Sequence, residues 1–374
     1  MPNPLLQLRE LGQSIWLDYI RRDLFEGELE RLIEDDGLAG MTSNPTIFDS
    51  AISDTDLYDD LIRECGADMK ADAIFERIAV ADVQRAADHF RPLFDRTEGR
   101  DGFVSIEVRP ALAYDTEGTI EEVKRLWTAC DRPNVMVKIP GTREGLPAIR
   151  QCLSEGVNIN ITLLFSIERY LEVMDAWFSA VEERVDREEP VERLASVASF
   201  FVSRVDTKVD ERLEKRLEEA GGEEERVRIR GLMGQIAIAN AKLAYERFEE
   251  RFRSARFAAL EEAGARLQRP LWASTSTKNP AYPDVHYVNN LIAPDSVNTV
   301  PPDTLAAFRD HGEPKVTIFE GRDEAHLKIE ALGGMGIDFG EVTRELEQEG
   351  VDKFAKSYDD LLETIREERA RVTA

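Results

Sequence analysis

The sequence predicts an α/β fold of the (β/α)8 TIM-barrel type, in which eight parallel strands close into a barrel surrounded by helices. Short β-type runs alternate with helical patterns from near the start of the chain to about residue 300, and this alternation is typical of a parallel sheet. Eight such runs with no central reversal point favour a closed barrel over an open doubly wound sheet. The length of 374 residues leaves room for additional helices.

Each predicted strand is a short run of apolar or β-branched residues that stops at a turn residue or at the start of a helical pattern. The eight runs are Ser14–Ile20, Leu38–Asn44, Phe103–Val108, Val135–Pro140, Val157–Leu164, Ala195–Ser203, Leu271–Thr275 and Ser296–Val300.

Helical patterns fill the connections between these runs. Leu146–Ser154 and Asp284–Ile292 are predicted crossover helices, and a long charged helical stretch after the sixth run breaks near Gly221–Gly222. A turn is expected at the glycine cluster of residues 333–336. We expect residues 1–374 to form a single barrel domain, of which about 303–374 is a helical C-terminal extension packed on the barrel.

Charge and composition exclude several classes of protein. The chain has 48 Lys and Arg against 74 Asp and Glu, a formal net charge of −26. Nucleic acid and anionic membranes repel such a surface, so neither is an expected partner. Hydrophobic residues make up 42% of the chain, which excludes a wholly disordered protein. We find no membrane-spanning run and no signal peptide in residues 1–10, so a cytoplasmic protein is expected.

Cysteine and histidine are too scattered to form a metal site or a disulfide framework. Cys65, Cys130 and Cys152 have no framework spacing, and the four histidines lie far apart in the sequence. We therefore expect reduced thiols, no metal centre and no histidine triad.

Polar side chains recur on one face of several predicted strands. Because side chains alternate across a strand, Ser105 shares a face with Glu107, and Asn158 shares one with Asn160 and Thr162. An antiparallel sheet with one wet face would give the same pattern, but the helical connections argue against it. In a parallel barrel these faces converge on the interior, where unpaired polar groups are costly. An active site near the C-terminal ends of the strands would explain them.

Lys138 lies inside the apolar run Val135–Pro140. Loss of hydration disfavours the ammonium form of a lysine, and a neutral amine attacks a ketone to give a Schiff base. A lysine that reaches the strand edge would fit the same spacing, and so would a structural ion pair with Glu107 or Asp18. The spacing alone leaves these explanations open.

Asp18 and Glu107, on the first and third predicted strands, are candidates for proton transfer. A carbinolamine must lose water, and carbon–carbon cleavage must remove a hydroxyl proton. Two carboxylates in different surroundings can divide this work. Thr162 could hold a water between them, and Asn44 and Asn160 could hydrogen-bond sugar hydroxyls.

Six segments resemble motifs of the transaldolase family, in the order in which that family has them. The resemblance extends from about residue 14 to the C-terminus, and six ordered matches make it highly specific. The segments are Gly40–Phe48 with its Thr-Ser-Asn-Pro signature, Val137–Leu146 with the active-site lysine motif, the strand segments Val104–Val108 and Asn158–Ser166, and the last two strands Leu271–Thr275 and Val297–Pro301.

The resemblance implies a barrel enzyme that forms a lysine Schiff base without metal or organic cofactor. The family transfers a dihydroxyacetone unit between phosphorylated sugars in the pentose phosphate pathway. By resemblance, Lys138 is the nucleophile and Asp18 the base on the substrate's C4 hydroxyl. Glu107 and Thr162 would handle the catalytic water, with Glu107 as the proton shuttle. The residues implied to orient the dihydroxyacetone moiety are Asn44, Asn160 and Ser199.

Phosphate binding is implied at Arg204 and Ser274. The planar guanidinium of arginine donates hydrogen bonds in pairs, which suits a phosphate. Many members of the family carry a second arginine two positions after the serine, but this chain has Ser276 there. Lys278 is the expected replacement, as in longer members with a similar Ser-Thr-Lys-Asn-Pro stretch. The length places the chain in a longer bacterial subgroup, and we expect a monomer or a homodimer.

The leading hypothesis is a transaldolase that acts on sedoheptulose 7-phosphate or fructose 6-phosphate with glyceraldehyde 3-phosphate or erythrose 4-phosphate. A fructose 6-phosphate aldolase would use the same chemistry but release free dihydroxyacetone. A non-catalytic phosphosugar-binding barrel would not need Lys138. An interaction protein with acidic helices would not explain the polar residues inside the strands.

Overall fold

A computed structural model describes residues 3–66 and 68–373, and within them the chain forms a closed barrel of eight parallel strands. Each strand pairs with the next along the chain, and the last pairs with the first, which confirms the predicted fold class. The strands are β1 (Gln13–Asp18), β2 (Gly40–Thr42), β3 (Phe103–Glu107), β4 (Val135–Pro140), β5 (Ile159–Leu164), β6 (Ser196–Phe201), β7 (Arg269–Ala273) and β8 (Ser296–Val300).

Helices fill every connection and extend the chain beyond the last strand. Short 3₁₀ turns cover Arg22–Phe25 and Pro110–Leu112. The α-helices are α1 (Pro4–Glu10), α2 (Glu28–Asp35), α3 (Pro45–Ser53), α4 (Asp59–Glu64), α5 (Ala71–Arg96), α6 (Thr116–Cys130), α7 (Gly145–Ser154), α8 (Ile167–Asp186), α9 (Ser203–Glu219), α10 (Glu223–Arg230), α11 (Ile236–Phe252), α12 (Ala255–Glu262), α13 (His286–Asn290), α14 (Pro302–His311), α15 (Arg322–Gly334) and α16 (Phe339–Thr373).

All eight predicted strands are present, and β4 and β8 have the predicted bounds. The second run was predicted too long at both ends. Its last residue, Asn44, caps α3, because its side-chain oxygen accepts a hydrogen bond from the backbone N–H of Ile47 at 3.1 Å. The turn predicted at residues 333–336 is wrong in part. Gly333 and Gly334 end α15, and the backbone takes a left-handed conformation at Gly336, with φ +73°.

The core lies between the barrel and its helices. In β4, the side chains of Val135, Val137 and Ile139 are fully buried, and each contributes about 1.5–3 kcal/mol relative to exposure. On α8, a stripe at helical spacing from Tyr170 to Val181 is buried as well, as its periodicity predicts.

Polar groups at the N-terminal end of the barrel satisfy one another. Arg269 donates hydrogen bonds to Ser14 at 2.8 Å and to Asp101 at 3.0 Å, and Ser14 donates to Asp101 at 2.7 Å. The charge of Arg269 is therefore compensated by Asp101 inside the protein.

The C-terminal helix α16 crosses the opposite end of the barrel. It packs against α3, α4, α5 and α9 and contacts β5. Gly350 allows the close approach, since a Cβ atom at this position would lie 3.1 Å from Cδ2 of Leu163. The helix therefore forms part of the wall above the C-terminal ends of the strands.

None of the helices in the described ranges combines the length and the apolar composition that a membrane crossing requires.

Candidate active site

A cavity of about 780 Å³ opens at the C-terminal ends of the strands. This is the end of a parallel barrel where enzymes of this architecture carry their active sites. Eight of the ten predicted site residues line it, namely Asp18, Asn44, Lys138, Thr162, Ser199, Arg204, Ser274 and Lys278. Glu107 and Asn160 lie outside this lining. Each contacts a residue that belongs to it, since Glu107 faces Lys138 and Asn160 accepts a hydrogen bond from Ser199.

Lys138 and Glu107 occupy paired positions on adjacent strands. In the parallel register of β3 and β4, Glu107 lies opposite Lys138, and the lysine Nζ is 3.5 Å from the Oε1 atom of Glu107. Their side chains are only 8% and 7% exposed. The lysine therefore does not reach out at a strand edge. It is buried and faces a carboxylate, at a distance longer than an ordinary hydrogen bond.

Two further contacts hold the amine of Lys138. Its Nζ donates a hydrogen bond to the backbone carbonyl of Ser43 at 3.2 Å. The ring of Phe354, on α16, has its centroid 5.8 Å from the same atom. The amine thus has one backbone acceptor, one carboxylate and one aromatic face around it, and it still borders the cavity.

Burial makes Glu107 an unusually weak acid. Desolvation raises the pKa of Glu107 to about 7, with the charge of Lys138 opposing the rise and that of Asp18 adding to it. Neither carboxylate oxygen accepts a hydrogen bond from any described residue. A group of this kind exchanges a proton readily near neutral pH.

Asp18 ends β1 and is oriented by a chain of hydroxyl groups. Thr42 donates a hydrogen bond from Oγ1 to Oδ1 of Asp18 at 2.7 Å, and its Oγ1 is 2.8 Å from Oγ1 of Thr299. Because Thr42 has a single hydroxyl proton, Thr299 is the donor in the second bond. Neither threonine is among the predicted site residues, although Thr42 belongs to the Thr-Ser-Asn-Pro signature.

Asn160 does not line the cavity, and its side chain is fully buried. Its side-chain N–H donates to Oγ of Ser105 at 3.1 Å, and its Oδ1 accepts from Oγ of Ser199 at 2.7 Å. Asn160 therefore orients Ser199, which lines the cavity itself.

The end of β5 is irregular just beyond Thr162. The register with β6 shifts between Ile161 and Leu164, and Leu163 has φ +61°. A left-handed conformation is costly for a branched residue. Such strain occurs most often at functional sites, and here it falls beside Thr162, on the residue that packs against Gly350.

A basic region occupies the side of the cavity formed by β7 and α9. Ser274 has φ +56°, and its hydroxyl is 3.0 Å from that of Ser203. Arg204, in the first turn of α9, lies over the ring of Phe201 at 5.1 Å. Burial lowers the pKa of Arg204, an effect that Asp18 opposes.

Lys278 stands in the segment that follows Ser274. Its Nζ donates to Oγ of Ser276 at 2.6 Å. Partial desolvation lowers the pKa of Lys278, and the positive charges of Arg204 and Lys353 add to this effect. Neither Arg204 nor Lys278 forms an ion pair with a described carboxylate, so both charges remain available to an anion.

Two buried aspartates join the elements that carry these cations. Tyr287 donates to Oδ2 of Asp206 at 3.0 Å, and Tyr282 donates to Oδ2 of Asp210 at 2.7 Å. Both aspartates are on α9, which carries Arg204, and both tyrosines follow Lys278. These bonds fix the two basic residues relative to one another.

Helix α16 supplies one wall of the cavity, although none of its residues is among the predicted site residues. Its charged pattern is that of an ordinary exposed amphipathic helix, so no sequence signal marks the residues that face the site. They are Leu346, Glu349, Gly350, Lys353, Phe354 and Ser357.

No group of three or more His, Cys, Asp or Glu side chains with metal-binding geometry occurs in residues 3–66 and 68–373.

Comparison with known proteins agrees with this geometry. A sequence model of the family described as transaldolase/fructose-6-phosphate aldolase matches residues 15–365. A transaldolase of Acidothermus cellulolyticus is 48% identical over 381 aligned residues, covering 99% of this chain and 100% of that protein. A transaldolase of Saccharopolyspora erythraea is 48% identical, with 96% of each chain covered, and one of Thermobifida fusca is 46% identical over the full length of both. The chain belongs to the transaldolase/fructose-6-phosphate aldolase family.

Proposed function

We propose that this enzyme is a transaldolase that uses Lys138 as its Schiff-base nucleophile. It moves a dihydroxyacetone unit from sedoheptulose 7-phosphate or fructose 6-phosphate to glyceraldehyde 3-phosphate or erythrose 4-phosphate. The observation that carries this proposal is the buried Lys138–Glu107 pair, at 3.5 Å, beside a cavity large enough for a sugar phosphate. Full-length similarity to proteins named transaldolase supports it.

The first half of the reaction joins the ketose to the enzyme. The Lys138 ammonium first gives a proton to Glu107, and the neutral amine attacks the C2 carbonyl. Glu107 passes that proton to the carbonyl oxygen and takes up a second proton from the nitrogen, which gives the neutral carbinolamine. It then delivers the second proton to the departing hydroxyl group, which leaves as water and gives the iminium. A pKa of about 7 lets Glu107 serve as base in one step and acid in the next. Thr162 borders the cavity where this water forms.

The second half breaks and remakes a carbon–carbon bond. Asp18 removes the proton of the C4 hydroxyl, the C3–C4 bond breaks, and its electron pair moves to the iminium to give an enamine. The aldose phosphate leaves as an aldehyde. An acceptor aldehyde then adds to the enamine carbon, Asp18 returns the proton to the new alkoxide, and water releases the product from Lys138. The hydrogen bond from Thr42 keeps Asp18 in position for both transfers.

Hydrogen-bonding groups orient the dihydroxyacetone part. Asn44 uses its side-chain oxygen to cap α3, so its amide N–H groups remain for a sugar hydroxyl. Ser199 meets the sugar directly, and Asn160 acts through Ser199. At the far end, Arg204, Ser274 and Lys278 bind the phosphate by charge and hydrogen bonding.

The proposal is tested by the acceptor dependence of turnover. With fructose 6-phosphate and erythrose 4-phosphate, the enzyme should form sedoheptulose 7-phosphate, and glyceraldehyde 3-phosphate release should depend on the acceptor. Release of free dihydroxyacetone at the same rate without an acceptor would instead identify a fructose 6-phosphate aldolase. A chelator should leave the rate unchanged, because no step calls for a metal.

We further infer a cytoplasmic enzyme that is a monomer or a homodimer and binds neither nucleic acid nor membranes. The net charge of −26 supports the last two points. Light scattering after size exclusion decides the subunit count, and a mass above two chains would contradict the inference.

A further inference from the structure

The C-terminal helix brings a third unpaired cation to the phosphate end of the cavity. Lys353, on α16, borders the same cavity as Arg204 and Lys278. Within the described residues, none of these three side chains has a carboxylate within ion-pair distance. A chain with a net charge of −26 has acidic groups in excess, so three uncompensated cations around one cavity need an explanation.

Lys208 provides the contrast. It also borders the cavity, but its ammonium lies 3.1 Å from Glu345 and is paired with Glu349 as well, both on α16. The acidic residues of this helix thus compensate a lysine of α9 and leave Lys353 without a partner. Among the described residues, the charge of Lys208 is compensated by two carboxylates and that of Lys353 by none. An anion that enters the cavity would therefore pair with Lys353 rather than with Lys208.

The position of Lys353 is fixed by its neighbours on the helix. Gly350, one turn earlier, packs so closely on Leu163 that a Cβ atom would lie 3.1 Å from its side chain. Phe354, the next residue, has its ring 5.8 Å from the Lys138 amine. The backbone of Lys353 is therefore held between two contacts with the catalytic end of the barrel.

We propose that Lys353 is a ligand of the substrate phosphate, acting together with Arg204 and Lys278. This inference rests on the proposed function and adds a binding residue to it. A sugar phosphate carries a charge of about −1.5 to −2 at neutral pH, which attracts each of the three cations. Mutual repulsion among the cations fits a site built for an anion, since Arg204 and Lys353 both lower the pKa of Lys278.

The test compares Lys353→Met and Lys353→Arg with the control Lys356→Met. Lys356 is on the same helix, exposed, outside the cavity lining and paired with Asp360 at 2.7 Å. We expect Lys353→Met to raise both the KM for fructose 6-phosphate and the inhibition constant of inorganic phosphate roughly tenfold, the usual effect of one charged hydrogen bond. Lys353→Arg should keep most of the affinity, and Lys356→Met should match the wild type.

A readout without phosphate separates a binding role from a structural one. Borohydride trapping of dihydroxyacetone on Lys138 should proceed equally in the wild type and in Lys353→Met. An unchanged KM for fructose 6-phosphate would overturn the inference, and so would an equal loss in dihydroxyacetone trapping. Failure of the wild type to trap dihydroxyacetone would count against the proposed function instead.

A second measurement needs no variant. Reductive methylation of the wild-type enzyme, read by peptide mass spectrometry, compares Lys353 with Lys356 in the presence and absence of inorganic phosphate. We expect phosphate to slow labelling of Lys353 several-fold and to leave Lys356 unaffected. Equal labelling rates of Lys353 with and without phosphate would contradict the assignment.

Discussion

The amine of Lys138 and the carboxylate of Glu107 face each other at 3.5 Å on neighbouring strands, and both side chains are almost completely buried. A buried ion pair is weak as a stabilising device, because desolvation offsets most of the attraction. In the proposed mechanism its value is chemical, since it places the proton carrier Glu107 beside the nucleophile Lys138, which borders a substrate-sized cavity.

Glu107 is expected to set one limb of the pH–rate profile. Its pKa is raised to about 7 by burial, so the acid form that protonates the leaving hydroxyl is present below pH 7 and is lost as the pH rises through that value. In the wild type, kcat/KM for fructose 6-phosphate measured between pH 5.5 and 9 should therefore fall on the alkaline side with an apparent pKa near 7, because kcat/KM reports ionisation of the free enzyme. Glu107→Gln should lower kcat by about two to four orders of magnitude and remove this limb. A variant profile with the same shape as that of the wild type would exclude Glu107 as the shuttle.

Asp18→Asn should slow cleavage without preventing Schiff-base formation. The amide cannot take the C4 hydroxyl proton, so kcat should fall by about two orders of magnitude or more, while borohydride trapping of dihydroxyacetone on Lys138 continues. Thr42→Val, which removes the hydrogen bond to Asp18, should give a smaller loss in kcat. If Asp18→Asn changed only KM, Asp18 would be a binding residue and not the base.

Arg204→Ala should weaken binding of phosphorylated sugars specifically. Loss of a charged, bidentate donor predicts an increase in KM for fructose 6-phosphate of about tenfold or more, and Arg204→Lys should recover only part of it, because an ammonium lacks the planar fork. Arg216→Ala is the matched control, since Arg216 lies on the same helix and pairs with Glu219 at 3.0 Å. Equal kinetic effects of the two alanine variants would argue against a phosphate contact.

Two glycines in helices should respond oppositely to substitution. A Cβ atom added at Gly333 would meet no atom within 4 Å outside the local backbone, so Gly333→Ala should raise the free energy of unfolding by about 0.5 kcal/mol through helix propensity. Gly350→Val should lower it by about 1–3 kcal/mol, since the side chain would collide with Leu163 and push α16 from the barrel. Denaturant unfolding measures both changes, and the KM for fructose 6-phosphate should rise only in Gly350→Val. A neutral Gly350→Val would mean that the helix tolerates displacement.

The sequence was sufficient to predict the barrel and most of the groups at its C-terminal end. Strand alternation places Glu107, Lys138 and Thr162 on interior faces from periodicity alone, because the strands of a parallel barrel share one direction. The pairing of Lys138 with Glu107 depends on register, which local patterns do not determine, and sequence reasoning left it as one of several explanations.

Other features depended on tertiary structure. Asn160 and Ser199 both have polar side chains on an interior face, yet only Ser199 reaches the cavity. Asn160 pairs in register with Val197, two residues before Ser199 on β6, and local sequence patterns do not determine this register. Lys353 and Phe354 lie in a helix whose charge pattern is that of any exposed helix, and only the docking of α16 across the strand ends gives them a place in the site.

The most direct test of the central claim is borohydride reduction of the enzyme in the presence of fructose 6-phosphate, read by peptide mass spectrometry. We predict irreversible loss of activity and a dihydroxyacetone-derived mass on the peptide that contains Lys138. Lys138→Arg should acquire no adduct and have no activity, because a guanidinium stays protonated and cannot form an imine. An adduct on a different lysine, or normal turnover by Lys138→Arg, would contradict the account.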